Sequence, residues 1–311
     1  MAYLLKKDIK GKEYYYLVKN IRIDNKWKKF TVYLGSNLNK SQLIEKKKSY
    51  SKLLEQRSKE YIKKVDILLN IISDKDLKFL EIAKQKYKNF SKQSLAVREK
   101  YYEWFVTTFT YNSNAIEGST ISLEETSLIL FDKITPPNRT LREVREVENH
   151  KKAFDYMLAY KGDVNKKFVL RLHRILTKDI LREDESGKFR KVQVFVRGEE
   201  QIPPKPELVP IEFNKLIKWY NKNKKKYHPI IVASYLHSAF EGIHPFVDFN
   251  GRTGRLLLNF ILLKNELPAI DIRNKDRAEY YKNIKYAIKE ANLKPFVNLV
   301  INYIKEIVDK F

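Results

Sequence analysis

Apolar positions near the start of the chain recur every second residue. Tyr14, Tyr16 and Val18 fall on one side of the segment from Glu13 to Gly35, a polar break follows at Asp24-Asn25-Lys26, and Trp27 to Leu34 resumes the run. Two strands joined by a hairpin turn fit that alternation, and Tyr3 to Ile9, followed by Gly11, predicts a third. From Ser41 the period becomes that of a helix. Leu43, Ile44, Tyr50, Leu53, Leu54, Tyr61, Ile62 and Val65 are spaced for one long amphipathic segment. Nearly everything beyond it reads as helical. Ser122-Leu123-Glu124-Glu125 is a capping box that opens a short helix, and Pro136-Pro137-Asn138 closes the region behind it. Further helices are expected at about Leu141 to Tyr160, Asn165 to Ile180, Ile211 to Lys225, Pro229 to Ile243, Arg252 to Leu263, Asp276 to Ala291 and Lys294 to Asp309. One segment breaks the helical period. Residues Gly187 to Val196 alternate and then meet Gly198 and Pro203-Pro204, which predicts a β-hairpin flap over a helical body. Flaps of this kind commonly lie over a site.

Composition narrows the class without naming a function. A chain of 311 residues, 43% hydrophobic and 13% aromatic, is long enough to bury a sizeable core. The longest apolar stretches, such as Leu256 to Leu263, fall short of the roughly 20 residues that span a bilayer, and no signal peptide is read at the start, where Met1 to Asp8 runs straight into charged residues. A cytoplasmic protein with no membrane partner is expected. The absence of cysteine excludes disulfides, thiolate catalysis and cysteine zinc sites. A net charge of +24 favours nucleic acid, an acidic partner or an anionic substrate. Runs such as Lys46-Lys47-Lys48 and Lys224-Lys225-Lys226 are better explained as solvated helix faces.

The chemistry concentrates between two helices that are apolar around most of their circumference. Asp248, Asn250 and Gly251 lead straight into the N-terminus of the second, where unpaired N–H groups and the helix dipole favour an anion. Arg252 and Arg255 follow at i and i+3 on one face, although positive charge opposes the dipole there, so an anionic ligand is the economical explanation for them. Asp248 adds a hard carboxylate able to hold Mg²⁺, and His244 adds a base that works near neutral pH. His173 and His237 read as packed helix histidines.

The segment His244 to Arg255, HPFVDFNGRTGR, resembles the signature of the Fic (Fic/Doc) family, H-x-F-x-(D/E)-G-N-x-R-x-x-R. The resemblance runs from about Ser91 to Asn292. Ser113-Asn114-Ala115-Ile116-Glu117-Gly118 resembles the family's inhibitory motif, (S/T)-x-x-x-E-(G/N), and Asn149-His150 and Leu172-His173-Arg174 resemble its helical landmarks. The resemblance implies a Fic-like helical bundle that transfers AMP from ATP to a Ser, Thr or Tyr hydroxyl of a protein, with Mg²⁺. De-AMPylation and self-modification are further activities it leaves open. His244 would deprotonate the hydroxyl, and Asp248 would bind the metal. Asn250, Gly251 and Arg252 would hold the α- and β-phosphates, with Thr253 and Gly254 in the same cradle, and Arg255 would pair with the γ-phosphate. Tyr280 and Tyr281 would line the adenine, unless they merely pack the core, and Val196 would close over the nucleotide. Ser113, Glu117 and Gly118 would form the inhibitory element. A protein target would dock at the flap, 187–196. Phe249 departs from the signature, which has Gly there, and a side chain in that turn restricts φ or crowds phosphate.

The resulting domain reading is a small β element over 1–38, a helical connector over 39–90, a Fic-like catalytic domain over 91–292 and a C-terminal helix over 293–311 that packs on the core. The competing function is a nucleic-acid-binding regulator that carries a degenerate Fic-like core. The N-terminal β element is the segment left to bind nucleic acid or to form a homodimer.

Overall fold

The computed structural model describes residues 2–23, 26–196 and 202–311. The turn expected at Asp24-Asn25 and the flap residue Gly198 lie outside them. Backbone contacts divide the chain into two compact units, Met1–Asn70 and Ile71–Phe311.

In the first unit, strands β1 (Tyr3–Ile9), β2 (Lys12–Ile23) and β3 (Lys26–Ser36) form an antiparallel sheet in the order β1-β2-β3. Lys10 and Gly11 both have positive φ, 53° and 73°, as a two-residue hairpin of the strand-matching hand requires. An irregularity in the β2–β3 register at Tyr15/Tyr16 lets Tyr15 and Leu34 both turn inward. They join Leu17, Val32 and Leu54, the last from helix α1 (Lys40–Val65). Asn39 opens α1 with a capping box, its Oδ1 accepting from Gln42 N at 3.0 Å while Gln42 Oε1 accepts from Asn39 N at 3.0 Å. Tyr14, Tyr16 and Tyr33 project from the opposite face, Tyr33 exposed and Tyr14 and Tyr16 part-exposed.

The second unit is helical: α2 (Asp74–Phe90), α3 (Leu95–Ile116), α4 (Leu123–Ser127), α5 (Leu141–Ala159), α6 (Lys166–Leu176), α7 (Val209–Asn223), α8 (Pro229–Ile243), α9 (Asn250–Lys264), α10 (Arg277–Lys289) and α11 (Lys294–Val308). The two apolar helices, α8 and α9, pack on each other at its centre, with α7, α10 and α11 against α8 and α3, α5 and α6 against α9. Their burial is nearly complete, which is why both are apolar around most of their circumference. α6 stops short of the expected Ile180: Asn149 Nδ2 donates to Leu176 O and Lys178 O, and Asp179 stands in the left-handed region with φ 57°. No described helix is long and apolar enough to cross a membrane.

The flap differs from expectation. Residues 187–196 contain no strand; they form a loop pinned by side chains. Arg190 N donates to Pro245 O at 3.0 Å, and the Arg190 guanidinium donates to the carbonyls of His244, Val192 and Pro204. Gln193 Nε2 donates to Val194 O and Pro203 O. Pro203 and Pro204 have no N–H to give a ladder, so side-chain donors take the place of a partner strand.

The approach of α9 to α8 depends on Gly254. A Cβ there would stand 2.7 Å from His237 Nδ1 and 2.8 Å from Glu241 Oε1, closer than such contacts allow. Gly254→Ala is expected to destabilise the protein by about 1–3 kcal/mol, the usual range for overpacking. A denaturant midpoint equal to wild type would refute the close approach.

Candidate active site

The loop 244–249 is fixed from within. His244 ends α8 in the left-handed region (φ 48°), its N–H donating to Phe240 O at 2.9 Å. Asn250 staples the turn: its Oδ1 accepts from Phe246 N and its Nδ2 donates to Phe246 O, both at 2.9 Å. The Asn250 amide is therefore engaged by the loop, and what it presents to a ligand is its backbone at the start of α9. Thr253 is buried, its Oγ1 donating to Phe249 O at 2.8 Å, and Gly254 faces α8. These two shape the helix and do not line the pocket.

His173 supports the same loop from α6. Its ring stacks on Phe246 at 3.7 Å, Nδ1 accepts from Gly187 N at 2.9 Å, and Nε2 lies 3.2 Å from Asp248 O. Burial lowers its pKa to about 3, so the ring is neutral and Nε2–H is the donor. A histidine that sequence reading takes as core packing thus ties the root of the flap to the acid-bearing turn.

Phe249 occupies the N-cap of α9 with φ 63°, a strained conformation for an aromatic residue, and is only 2% exposed. Its ring lies 3.4 Å from the Arg252 guanidinium carbon, a cation–π contact. The same guanidinium donates to Glu146 Oε2 at 2.8 Å and reaches Asp248 Oδ1 at 3.4 Å. The side chain expected to crowd the anion turn is instead folded beneath Arg252.

Arg255 is 1% exposed. It donates through Nε to Ser113 Oγ at 3.0 Å, and through its terminal nitrogens to Ser113 O at 2.7 Å, Glu117 Oε1 at 2.8 Å and Tyr280 OH at 3.3 Å. Burial opposes its charge, and Tyr280 and Glu117 outweigh burial and leave its pKa raised. Burial likewise pushes Glu117 up, and Arg255 and Arg252 overcome that and hold it below the usual carboxylate range. Glu117 is the C-cap of α3, followed by Gly118 at φ 100°. Its carboxylate lies directly on Gly251, where any Cβ would overlap Oε1.

A pocket open to solvent is lined by Glu117, His244, Gly251, Tyr281, Ile284 and Ile288, with Val196 and Pro203 from the flap region. Tyr280 is outside it, fully buried with its hydroxyl on His237 Nε2 at 2.8 Å, so of the two adjacent tyrosines only Tyr281 reaches the cavity. Asp248 stands at the loop surface, its Oδ2 3.2 Å from Arg142. Among the described residues no three candidate ligands gather as a protein-only metal site.

Sequence reading missed Glu241. It lies one turn before His244, its Oε2 4.0 Å from His244 Nδ1, and its Oε1 is buried without a hydrogen-bond partner. A carboxylate within an otherwise apolar helix was the signal available. Burial, with Glu117 nearby, pushes its carboxyl up to about 8. Burial also lowers the pKa of His244, partly offset by a hydrogen bond to the Glu241 backbone, so the imidazole is a free base near neutrality.

His244 thus stands beside the loop that leads into the N-terminus of α9, on a helical body. Residues 163–262 match the profile of the Fic/DOC family. The chain is 32% identical over 227 residues to a protein adenylyltransferase Fic from Nematostella vectensis, covering 70% of this chain and 50% of that protein. It is 33% identical over 205 residues to the Drosophila melanogaster protein of the same name, covering 65% and 41%. The chain thus spans half or less of the length of these relatives. A Fic domain containing signaling protein from Bacteroides thetaiotaomicron superposes with a TM-score of 0.68 at 26% identity, over 74% of this chain and 95% of that one. Fic-1 from C. elegans superposes at 0.66 with 28% identity, over 84% and 75%. The chain belongs to the Fic/DOC family.

Glu241 yields a pH test. Its ordinary pKa is 4.5 and its folded value about 8. Between those values the folded protein keeps a proton that the unfolded chain has released, so stability falls as pH rises, by up to ~1.4 kcal/mol per unit for one site. Glu241→Gln removes this dependence, and its melting temperature is expected to gain on wild type from about pH 5 to pH 8. Parallel melting curves across that range would contradict the assignment.

Proposed function

We propose that this chain transfers AMP from ATP to a protein hydroxyl and that Glu117 holds it in an inhibited state. The observation that carries the reading is the seat of the Glu117 carboxylate against Gly251 and Arg255. An anion of the chain's own stands at a helix N-terminus, beside a buried arginine, where a nucleotide phosphate would be received. The relatives named as protein adenylyltransferases supply the reaction class.

In the transfer, the target hydroxyl gives its proton to Nε2 of His244, since Nδ1 is on the Glu241 side. The hydroxyl oxygen bonds to the α-phosphorus, the bond from that phosphorus to the α,β-bridging oxygen breaks, and pyrophosphate leaves with the electron pair. Backbone N–H groups at Asn250 and Gly251 and the Arg252 guanidinium meet the charge that develops on the phosphate. Asp248 suits Mg²⁺, which needs only one or two carboxylates when substrate phosphates complete its shell, and the ion would neutralise phosphate charge there. Arg255 receives the γ-phosphate once Glu117 withdraws. Tyr281, Ile284 and Ile288 offer apolar walls to the base, and Val196 a cover.

Incubation with α-labelled and γ-labelled ATP in parallel tests the group transferred: label should be retained from α alone. His244→Ala should cut labelling by about 10²–10⁴, the range for a lost general base, with ATP binding nearly unchanged. Hydrogen bonds to charged groups contribute about 1.5–3 kcal/mol, so Glu117→Gly should raise transfer by roughly tenfold or more. Adding Arg255→Ala should return it towards or below wild type. Equal labelling by wild type and Glu117→Gly would end the inhibitory assignment.

Phe249 supplies an independent check. Cation–π contacts contribute about 0.5–2 kcal/mol, so Phe249→Gly, which leaves Arg252 without its shelf, should weaken ATP binding by about threefold to thirtyfold. Tighter binding, measured by calorimetry, would mean that the ring obstructs the nucleotide.

A further inference from the structure

We propose that the outward face of the N-terminal sheet binds single-stranded nucleic acid by stacking unpaired bases on its tyrosines. The register places Tyr3, Tyr14, Tyr16, Tyr33 and Trp27 on one face, opposite the face that packs on α1. Tyr33 is 50% exposed, Tyr3 44% and Trp27 69%, an unusual surface for residues that do not join a core. Tyr16 and Tyr33 are adjacent, with ring centroids 5.3 Å apart, and Tyr14 lies 6.3 Å from Tyr33. From Trp27 to Tyr33 the strand runs about 20 Å, room for several nucleotides.

Charge decides the kind of partner. Residues 1–70 carry 18 Lys and Arg against 7 Asp and Glu, a net +11. Lys7 and Lys12 stand on the tyrosine face, 5.7 Å from the Tyr16 ring centre and 5.8 Å from that of Tyr14, and Lys29 follows on β3. The acids of β1 and β2, Asp8 and Glu13, are paired in register on the other face, where Glu13 engages Lys6 and Tyr15. Among its described residues the tyrosine face is thus without a carboxylate. Aromatic rings flanked by cations, with no negative charge among them, are the arrangement that holds a phosphodiester strand while its bases stack. Bases in a duplex are already stacked, so they do not use such rings. This inference does not depend on the transfer chemistry.

The test uses the full chain and fluorescence anisotropy with labelled oligo-dT, oligo-U and a duplex of equal length, each over a salt series. Both single strands are expected to bind more tightly than the duplex, and the two sugars separate DNA from RNA preference. Tyr33→Ala and Tyr16→Ala should each weaken binding by about tenfold with the salt slope unchanged, while Tyr33→Phe, which keeps the ring, retains binding. Lys7→Ala and Lys12→Ala should each reduce the slope of log K against log salt by about 0.7. No binding at low salt, a preference for duplex, or tyrosine variants that bind like wild type would overturn the proposal. A dimer in sedimentation that Tyr33→Ala dissociates, without oligonucleotide binding, would overturn it in favour of self-association.

Discussion

A guanidinium at 1% exposure is stable only if charge and hydrogen bonds surround it, because an unpaired buried ion costs several kcal/mol. Arg255 meets that requirement with contributions from three helices: Ser113 and Glu117 at the end of α3, Tyr280 on α10, and its own place on α9. The end of α3 is held against the first turn of α9 by this arginine, and Tyr280 passes the linkage to His237 at the middle of α8. The central pair of helices and their neighbours are thereby registered about one side chain. The remaining polar groups of the site are placed relative to it.

The turn that carries His244 and Asp248 is stiffened in a different way. Asn250 closes it on Phe246, His173 fastens it to the root of the flap, and Arg190 takes carbonyls from both the turn and the flap region. Each of these side chains hydrogen-bonds to backbone groups, so the loop conformation is fixed without regular secondary structure. Two residues stand in the left-handed region at its ends, His244 and Phe249. Phe249 offsets its backbone strain by burial and by contact with Arg252, which also sets the guanidinium plane.

Much of this organisation was legible in the chain. The 3.6-residue period located α1, α5 and the α8–α9 pair, because each has a continuous apolar stripe or is apolar around most of its circumference, and a capping box marked the start of α4. The twelve residues of the loop and first turn of α9 pointed to an anion site by residue type alone. What escaped was set by distance. Arg190 replaces a strand ladder with contacts 54 residues away, which no local alternation can register. Tyr280 and Tyr281 are neighbours, yet a rotation of about 100° per helical residue sends one into the core and the other to the pocket. Glu241 was visible as a charge on an apolar helix, but its standing beside His244 needed the fold.

In the proposed reaction Gly251 is a shared landing surface. Its bare backbone accepts the Glu117 carboxylate, and the same bareness is what would let a phosphate oxygen approach the amides behind it. A methyl group there would evict both visitors at once. Under the proposed inhibition, the position would be closed to the simplest evolutionary route out of self-blockade, since a bulky replacement that freed Arg255 would also deny the nucleotide its footing. Loss of restraint would then have to arise on α3, at Glu117 or its supports, and the pressures for being switched off and for being able to work at all would converge on a single hydrogen atom.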